Sequence, residues 1–454
     1  MNRQRGMEQT RQASIQAWAQ AQRQALHEAV KNTPVNNQVV GASGTGSGGV
    51  ADDFVAMTTV DNSYMYISAE SADRASVFTI TVDWGDGNTD TYAGAPYYDN
   101  ITHEYDVTGT YIVTITGELA SIDGFQADNN YISEIKGLQK LVTASYIDLS
   151  YNSLTEIPVL PAGLEQLAIR NNQITGEVAV QQGLVYFYAD YNNITGFKSI
   201  SSELLELSAE YNAVSEWTLQ FPVDLELLSL RSNQLSSFRW SAMNAGLQGL
   251  NLAQNQLTAW PDVALPAGLI SFNIWGNRIT GFNPAYPLPA GINYVDLSGN
   301  LLTTFTPGTT FIQGKDFLIS IVLQNMPGLT TFNMPANTLE SINSSLSLAG
   351  TGITAFNETN LPAVGQLYLS GAQLTQFTPT VVHAGCNYYD ISDNNLNTAA
   401  VNAALINLDS KSSSFDLINN RRVYLKQRVA APPSGAGITA KNNLISRNWT
   451  IDTD

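Results

Sequence analysis

Residues 146–157 read YIDLSYNSLTEI, and the reading of that stretch decides the fold. Its pattern is apolar-x-apolar-x-x-Asn-x-apolar. The pattern returns as QLAIRNNQITGE (166–177), LSLRSNQLSSF (228–238), LNLAQNQLTAW (250–260), FNIWGNRITGF (272–282) and YVDLSGNLLTTF (294–305). Its asparagine falls at Asn130, Asn152, Asn172, Asn192, Asn212, Asn233, Asn255, Asn277, Asn300 and Asn394, and the steps from Asn130 to Asn300 are 20 to 23 residues. One such unit cannot bury its apolar face alone. Stacked units share a continuous core, and each adds a short strand to a parallel sheet, so the repeat predicts a solenoid. An inward asparagine closing each strand is expected to bond the neighbouring turn and satisfy buried backbone groups. At Met326, Thr351 and Ala372 the asparagine lapses, and around LISIVLQNMPGL (318–329) the spacing stretches, so an irregular or bulging region is expected there.

Working outward, the array covers 119–396 and resembles leucine-rich repeats. It is followed by LNTAAVNAALINLDS, helix-like from about Thr398 to Leu408, and by a polar segment containing Trp449. A solenoid needs a cap over its last coil, and an amphipathic helix with a closing strand (397–454) would serve, with Trp449 in the cap core. This ending is similar to the terminal caps of bacterial and bacteriophage leucine-rich repeat proteins.

Before the array, SVFTITVDWGDGNTDTY and ITHEYDVTGTYIVTITG alternate apolar and polar residues between Asp, Asn and Gly turns, which predicts strands. Gly85 and Gly87 suit a tight strand-ending turn. The series Val82-Asp83-Trp84-Gly85-Asp86-Gly87, with His103, Tyr105, Gly109, Tyr111 and Val113, resembles a PKD domain, an immunoglobulin-like β-sandwich, placed at 51–118. The segment is shorter than is usual for that family, so an edge strand is expected to be missing or rearranged. The resemblance implies an extracellular spacer or adhesive role. Asp83, Asp86, Asn88 and Asp90 lack the distal Glu of a calcium loop and are read as turn formers.

Residues 1–33 carry Arg3, Arg5, Arg11, Arg23 and Lys31 against Glu8 and Glu28, a balance of +3 that leaves −21 of the total −18 on the rest. Ile15, Trp18 and Leu26 fall on one face of a predicted helix from Ser14 to Lys31. These residues are read as a basic helical arm that anchors the chain to a larger assembly. Gly/Ser-rich residues 34–50 form its linker, with a span on the order of 20 Å for ten residues.

Composition limits the function. A body this acidic repels nucleic acid and anionic membranes. Only 13% of residues are charged, so much of the surface is neutral and polar. Cys386 is the only cysteine, which rules out an internal disulfide. No run of apolar residues reaches a transmembrane length, and Gln, Arg and Ser interrupt every signal-like run near Met1, so the general secretory route is not expected. The histidines, His27, His103 and His383, fall in three different segments. The pair His383 and Cys386 lacks the second pair that zinc needs. No nucleophile elbow, phosphate loop or HExxH is present. No enzyme, cofactor or metal is therefore expected.

Period-two alternation about each strand's apolar centre sends Tyr151, Arg170, Tyr186, Tyr188, Asp190, Tyr191, Glu210, Tyr211, Arg231, Trp275 and Tyr294 outward from the parallel sheet. An aromatic stripe with interleaved charges suits a protein partner or a glycan. Tyrosines that merely pair across strands are the competing reading. The whole is a mainly β chain, and the first expectation is a bacteriophage virion surface protein, for decoration or host attachment, assembled in the host cytoplasm. Its expected partners are other virion proteins through the arm and a host surface protein or glycan, with no nucleic acid and no membrane insertion. A homo-oligomer is compatible with this. The alternatives are a bacterial cell-surface adhesin and an intracellular repeat scaffold.

Overall fold

The computed structural model describes residues 55–59, 62–282, 286, 288–306, 320–333, 345–356, 365–378, 386–411 and 421–454. The expected anchor residues Arg3, Arg5, Arg11, Ile15, Trp18, Arg23 and Leu26, the linker, His27 and His383 lie outside them. Asp52–Asp454 forms one compact unit.

Alternating sequence at the start of this unit becomes antiparallel strands: β1 (Val55–Thr59), β2 (Asn62–Glu70), β3 (Phe78–Asp83), β4 (Thr89–Ala95), β5 (Tyr97–Gly109) and β6 (Ile112–Gly117). β4, β3, β6 and β1 pair in that order, while β2 pairs with β5. In β3 the period of two turns Phe78, Ile80 and Val82 inward onto a core with Met57, Met65, Ile67 and Val113. Trp84 fills its centre with no exposed surface. Its indole donates to Asp90 at 2.8 Å, and the Tyr105 hydroxyl donates to its carbonyl at 3.0 Å. Gly85 is required beside it: φ is +80°, and a Cβ there would sit 2.6 Å from the Ile112 carbonyl oxygen. The acidic residues of the turn cap it, as Asp83 accepts from the Gly85 amide and Asp86 from the Asn88 amide, each at 2.9 Å.

Two strands follow, β7 (Gly124–Gln126) and β8 (Ile132–Lys136), and both pair backwards. β2 runs antiparallel to β7 with Ala69 opposite Phe125, and β1 runs antiparallel to β8 with Met57 opposite Ile135. Each pairing carries the antiparallel module's hydrogen bonding across residue 118 into the first coil of the solenoid. The module thereby covers the open end of the stack, the role a solenoid's first coil demands.

From β7 onward three-residue strands stack in parallel, beginning with 146–148, 166–168, 186–188 and 206–208 and continuing to 450–452. Their central residues Ile147, Leu167, Phe187, Leu207, Leu228, Leu250, Phe272 and Val295 are buried. After each strand come a second core residue, an outward residue, a corner with left-handed backbone, and the repeated asparagine. The asparagine acts as expected from the sequence. Asn172 donates to the carbonyls of Leu149 at 2.9 Å and Ile169 at 3.1 Å, and accepts from the Leu154 amide at 2.9 Å. It closes its own turn and the preceding one. The first rung, Asn130, reaches the module instead, accepting from the Tyr66 amide at 2.8 Å and donating to the Tyr66 carbonyl at 2.6 Å.

Around Met326, Thr351 and Ala372 the described strands keep parallel register, Ser320 beside Ser345 and Ser345 beside Gln366, while the irregular or bulging region expected there falls on intervening residues (307–319, 334–344 and 357–364) that lie outside the described ones. Buried Met326 and Ala372 fill the asparagine position, and Thr351 donates to the Leu348 carbonyl at 2.8 Å. On the opposite side of the coils Phe305, Phe332, Phe356 and Phe377 stack at 6.0 to 6.3 Å. The cap is larger than the one helix and one strand expected. Helix α1 (Thr398–Lys411) opens on Asn397, which accepts from the Ala400 amide, and α2 (Ala436–Ser446) packs on it. Strands 422–424 and 450–452 both extend the parallel sheet. Gln427 takes the asparagine's place there, donating to the carbonyls of Ile391 at 3.2 Å and Leu425 at 2.6 Å. Trp449 is buried as expected, with the guanidinium of fully buried Arg421 5.0 Å over its ring.

Candidate binding face

The outer surface of the parallel sheet is built from three positions per coil: the two strand ends that flank the buried centre, and the outward residue two places later. Tyr186, Tyr188 and Tyr294 are strand ends. Arg170, Asp190, Glu210, Arg231 and Trp275 are the later outward residues, stacked coil on coil.

These charges are organised. Arg170 pairs with Asp190 at 3.0 Å and lies 4.2 Å over the Tyr188 ring. Tyr188 is therefore covered, only 6% exposed, and its hydroxyl donates to Glu206 at 3.1 Å. Asp190 accepts from the Ser208 hydroxyl at 2.5 Å and the Glu210 amide at 2.8 Å. Glu210 accepts in turn from the Ser229 hydroxyl at 2.5 Å. Burial pushes the Glu210 carboxyl above its ordinary range, against the pull of that hydroxyl. Arg231 lies 5.7 Å over Tyr211 and 5.9 Å over Trp275, and bonds Gln254 at 3.2 Å. The structure thus joins Arg170, Asp190 and Glu210 into one hydrogen-bonded chain, and places Arg231 near enough to act on Glu210 by charge while it lies over the Tyr211 and Trp275 rings. Tyr294 stands apart from these and donates to Asp296 at 2.8 Å.

Tyr151, Tyr191 and Tyr211 reach the surface by another route than strand alternation. They occupy the corner before the asparagine, with φ of 57°, 58° and 54°. The backbone, not period two, turns them outward. Glycine or asparagine suits that corner best, and Asn171, Gly276, Gly299, Gly350 and Gly371 fill it in other coils, as do Ser232, Gln254 and Asp393. A tyrosine there costs on the order of 1 kcal/mol. Tyr151 is 58% exposed and Tyr191 50%, so burial does not offset that cost. Tyr191 and Tyr211 recover part of it by stacking at 4.3 Å.

Several face residues escape the sequence pattern as first read. Tyr146 donates to Asp148 at 3.1 Å, and Glu206, Ser208, Ser229 and Asn251 add further bonds on the face. A second cluster lies towards the cap, where Tyr388 sits 5.0 Å from Tyr368 and 5.5 Å from Tyr424. Burial and then Asp390 push the Tyr388 hydroxyl to about 12. The signal was present, since YYD at 388–390 matches YID at 146–148. Among the described residues no three His, Cys, Asp or Glu converge as a metal site would require, and no helix is long and apolar enough to cross a membrane.

No protein-family model matches the chain, and no curated protein matches it. Solved structures of leucine-rich repeat proteins do align with it. YopM from Yersinia enterocolitica aligns at 21% identity and a TM-score of 0.47 over 61% of this chain, and the match spans 56% of the YopM chain. InlJ from Listeria monocytogenes aligns at 18% identity and a TM-score of 0.40, covering 71% of this chain and 78% of its own. A chain from the octameric complex of Latrophilin 3, Unc5D and FLRT2 aligns at 16% identity and a TM-score of 0.40, covering 67% of this chain and 84% of its own.

Proposed function

We propose that this chain is a non-catalytic recognition protein whose parallel sheet face binds a partner protein or a glycan. One observation carries the reading. Exposed tyrosines stand at left-handed corners where glycine or asparagine fits better, so the side chains are retained at a cost in stability and without burial. The hydrogen-bonded chain of Arg170, Asp190 and Glu210 beside them, with Arg231 close to it, would fix the orientation of what binds. We place the protein on a virion surface, held by the basic arm, with the PKD-like module as spacer; the −21 body against the +3 arm supports separate tasks for the two. A bacterial cell surface is the alternative setting.

Two measurements test this. Mass spectrometry of purified particles and of fractionated cells should recover the chain with particles, and recovery only in an envelope fraction would replace the virion setting. Binding of the labelled full chain to intact cells should fall at least about tenfold in the double variant Tyr211→Ser/Trp275→Ala with an unchanged unfolding temperature. Undiminished binding would remove the face from recognition.

A further inference from the structure

The corner column of tyrosines contains a gap. Tyr151 and Tyr191 are separated by the single coil that carries Asn171, and φ at the three corners is 57°, 53° and 58°. Their backbones are equivalent: the amides of Tyr151, Asn171 and Tyr191 donate to the carbonyls of Arg170, Asp190 and Glu210 at 2.7, 2.9 and 2.8 Å. The three side chains therefore leave from equivalent points, one above the next. Where the column is filled, at Tyr191 and Tyr211, the rings stack with 7° between their planes.

Two strand spacings of about 4.8 Å put the corners of Tyr151 and Tyr191 roughly 9.6 Å apart. That is the span of two aromatic rings holding a third ring between them at about 4.5–5 Å from each. Asn171 is shorter than tyrosine and leaves this height open, and its side-chain amide has no protein partner among the described residues. The walls are aromatic, and an amide able both to donate and to accept lies at the base. Arg170, the preceding residue, is matched by Asp190, so the surroundings are close to neutral.

We propose that this slot takes a neutral pyranose ring, its two apolar faces against Tyr151 and Tyr191 and a hydroxyl on the Asn171 amide. The inference rests on the recognition reading above and names its ligand class. A guanidinium from a protein partner would gain no unpaired carboxylate from Asp190, which already holds Arg170. A nucleobase would bring phosphates towards a chain of net charge −18.

The test uses the full chain on immobilised cello-, galacto-, manno- and chito-oligosaccharides, with titration of the best binder. Asn171→Tyr adds a ring to the column without deleting any contact, and should weaken binding about tenfold or more. Tyr151→Asn should do the same by removing a wall, and both variants should keep the parent's unfolding temperature to within a few degrees. Saccharide binding that survives Asn171→Tyr but is lost in Tyr211→Ser/Trp275→Ala overturns the slot and leaves the face intact. Cell binding with no binding to any saccharide, again lost in that double variant, overturns the sugar and leaves the face as a protein site. Binding to neither cells nor saccharides overturns both.

Discussion

The coils from Asn152 to Asn300 and those from Met326 to Ala372 keep the same strand register by different means. In the first set every turn is closed by an asparagine amide, buried in every coil but that of half-buried Asn212; in the second, apolar or hydroxyl side chains fill that place, and the aromatic column on the other side, which runs through the first set from Phe197, continues as Phe305, Phe332, Phe356 and Phe377. The comparison teaches that the parallel sheet is not specified by the asparagines alone. Core residues at the strand centres set register, and the amides satisfy backbone groups that would otherwise be buried without partners.

The largest effect should come from removing a rung where the ladder is complete. Asn233→Ala deletes bonds to the carbonyls of Ala209 and Leu230 and strands the Val214 amide. A cost of about 3 kcal/mol is expected by denaturant unfolding. The reciprocal change, Ala372→Asn, adds a rung where none exists and should change stability by less than about 1 kcal/mol. If both variants lose several kcal/mol, the two regions differ in backbone and not merely in side chain.

A smaller and more local effect is expected at the junction. Asn130→Ala removes both bonds to Tyr66 and should cost about 2 kcal/mol. Hydrogen exchange at the Tyr66 amide should accelerate while amides near Asn233 stay protected. Uniform acceleration would mean that the module and the coils unfold together.

The smallest effect concerns charge on the face. The Glu210 carboxyl is raised by burial above its ordinary 4.5, so the folded chain holds that proton more tightly than the unfolded one. Its contribution favours folding below pH 4.5 and is lost as pH rises through the raised value. Glu210→Gln should therefore gain on the parent in stability at pH 7 relative to pH 4, as read from unfolding temperatures. The opposite sign would show that Arg170 and Arg231 outweigh burial.

Much of this was legible from residues alone. Strand centres such as Ile147 and Leu167 follow from period two, the rungs follow from recurrence, and α1 begins at Thr398 as its pattern predicts. Other features were hidden for physical reasons. The corner tyrosines turn outward through a left-handed backbone, which no hydrophobic period encodes. Asn130 finds its partner in β2, 64 residues away, and the partner is backbone rather than a recognisable side chain. Gln427 was hidden because α1 interrupts the spacing and a longer side chain does the asparagine's work.

Each rung reaches back only to the coil before it. In genetic terms, one repeat of 20 to 23 residues can be duplicated or deleted by recombination without severing the clasp of any other. The distance between module and cap would then change in steps of about 4.8 Å. Loss of the coil bearing Asn171 would bring Tyr151 beside Tyr191 and close the gap, so the proposed slot would be lost with the same unit that sets reach.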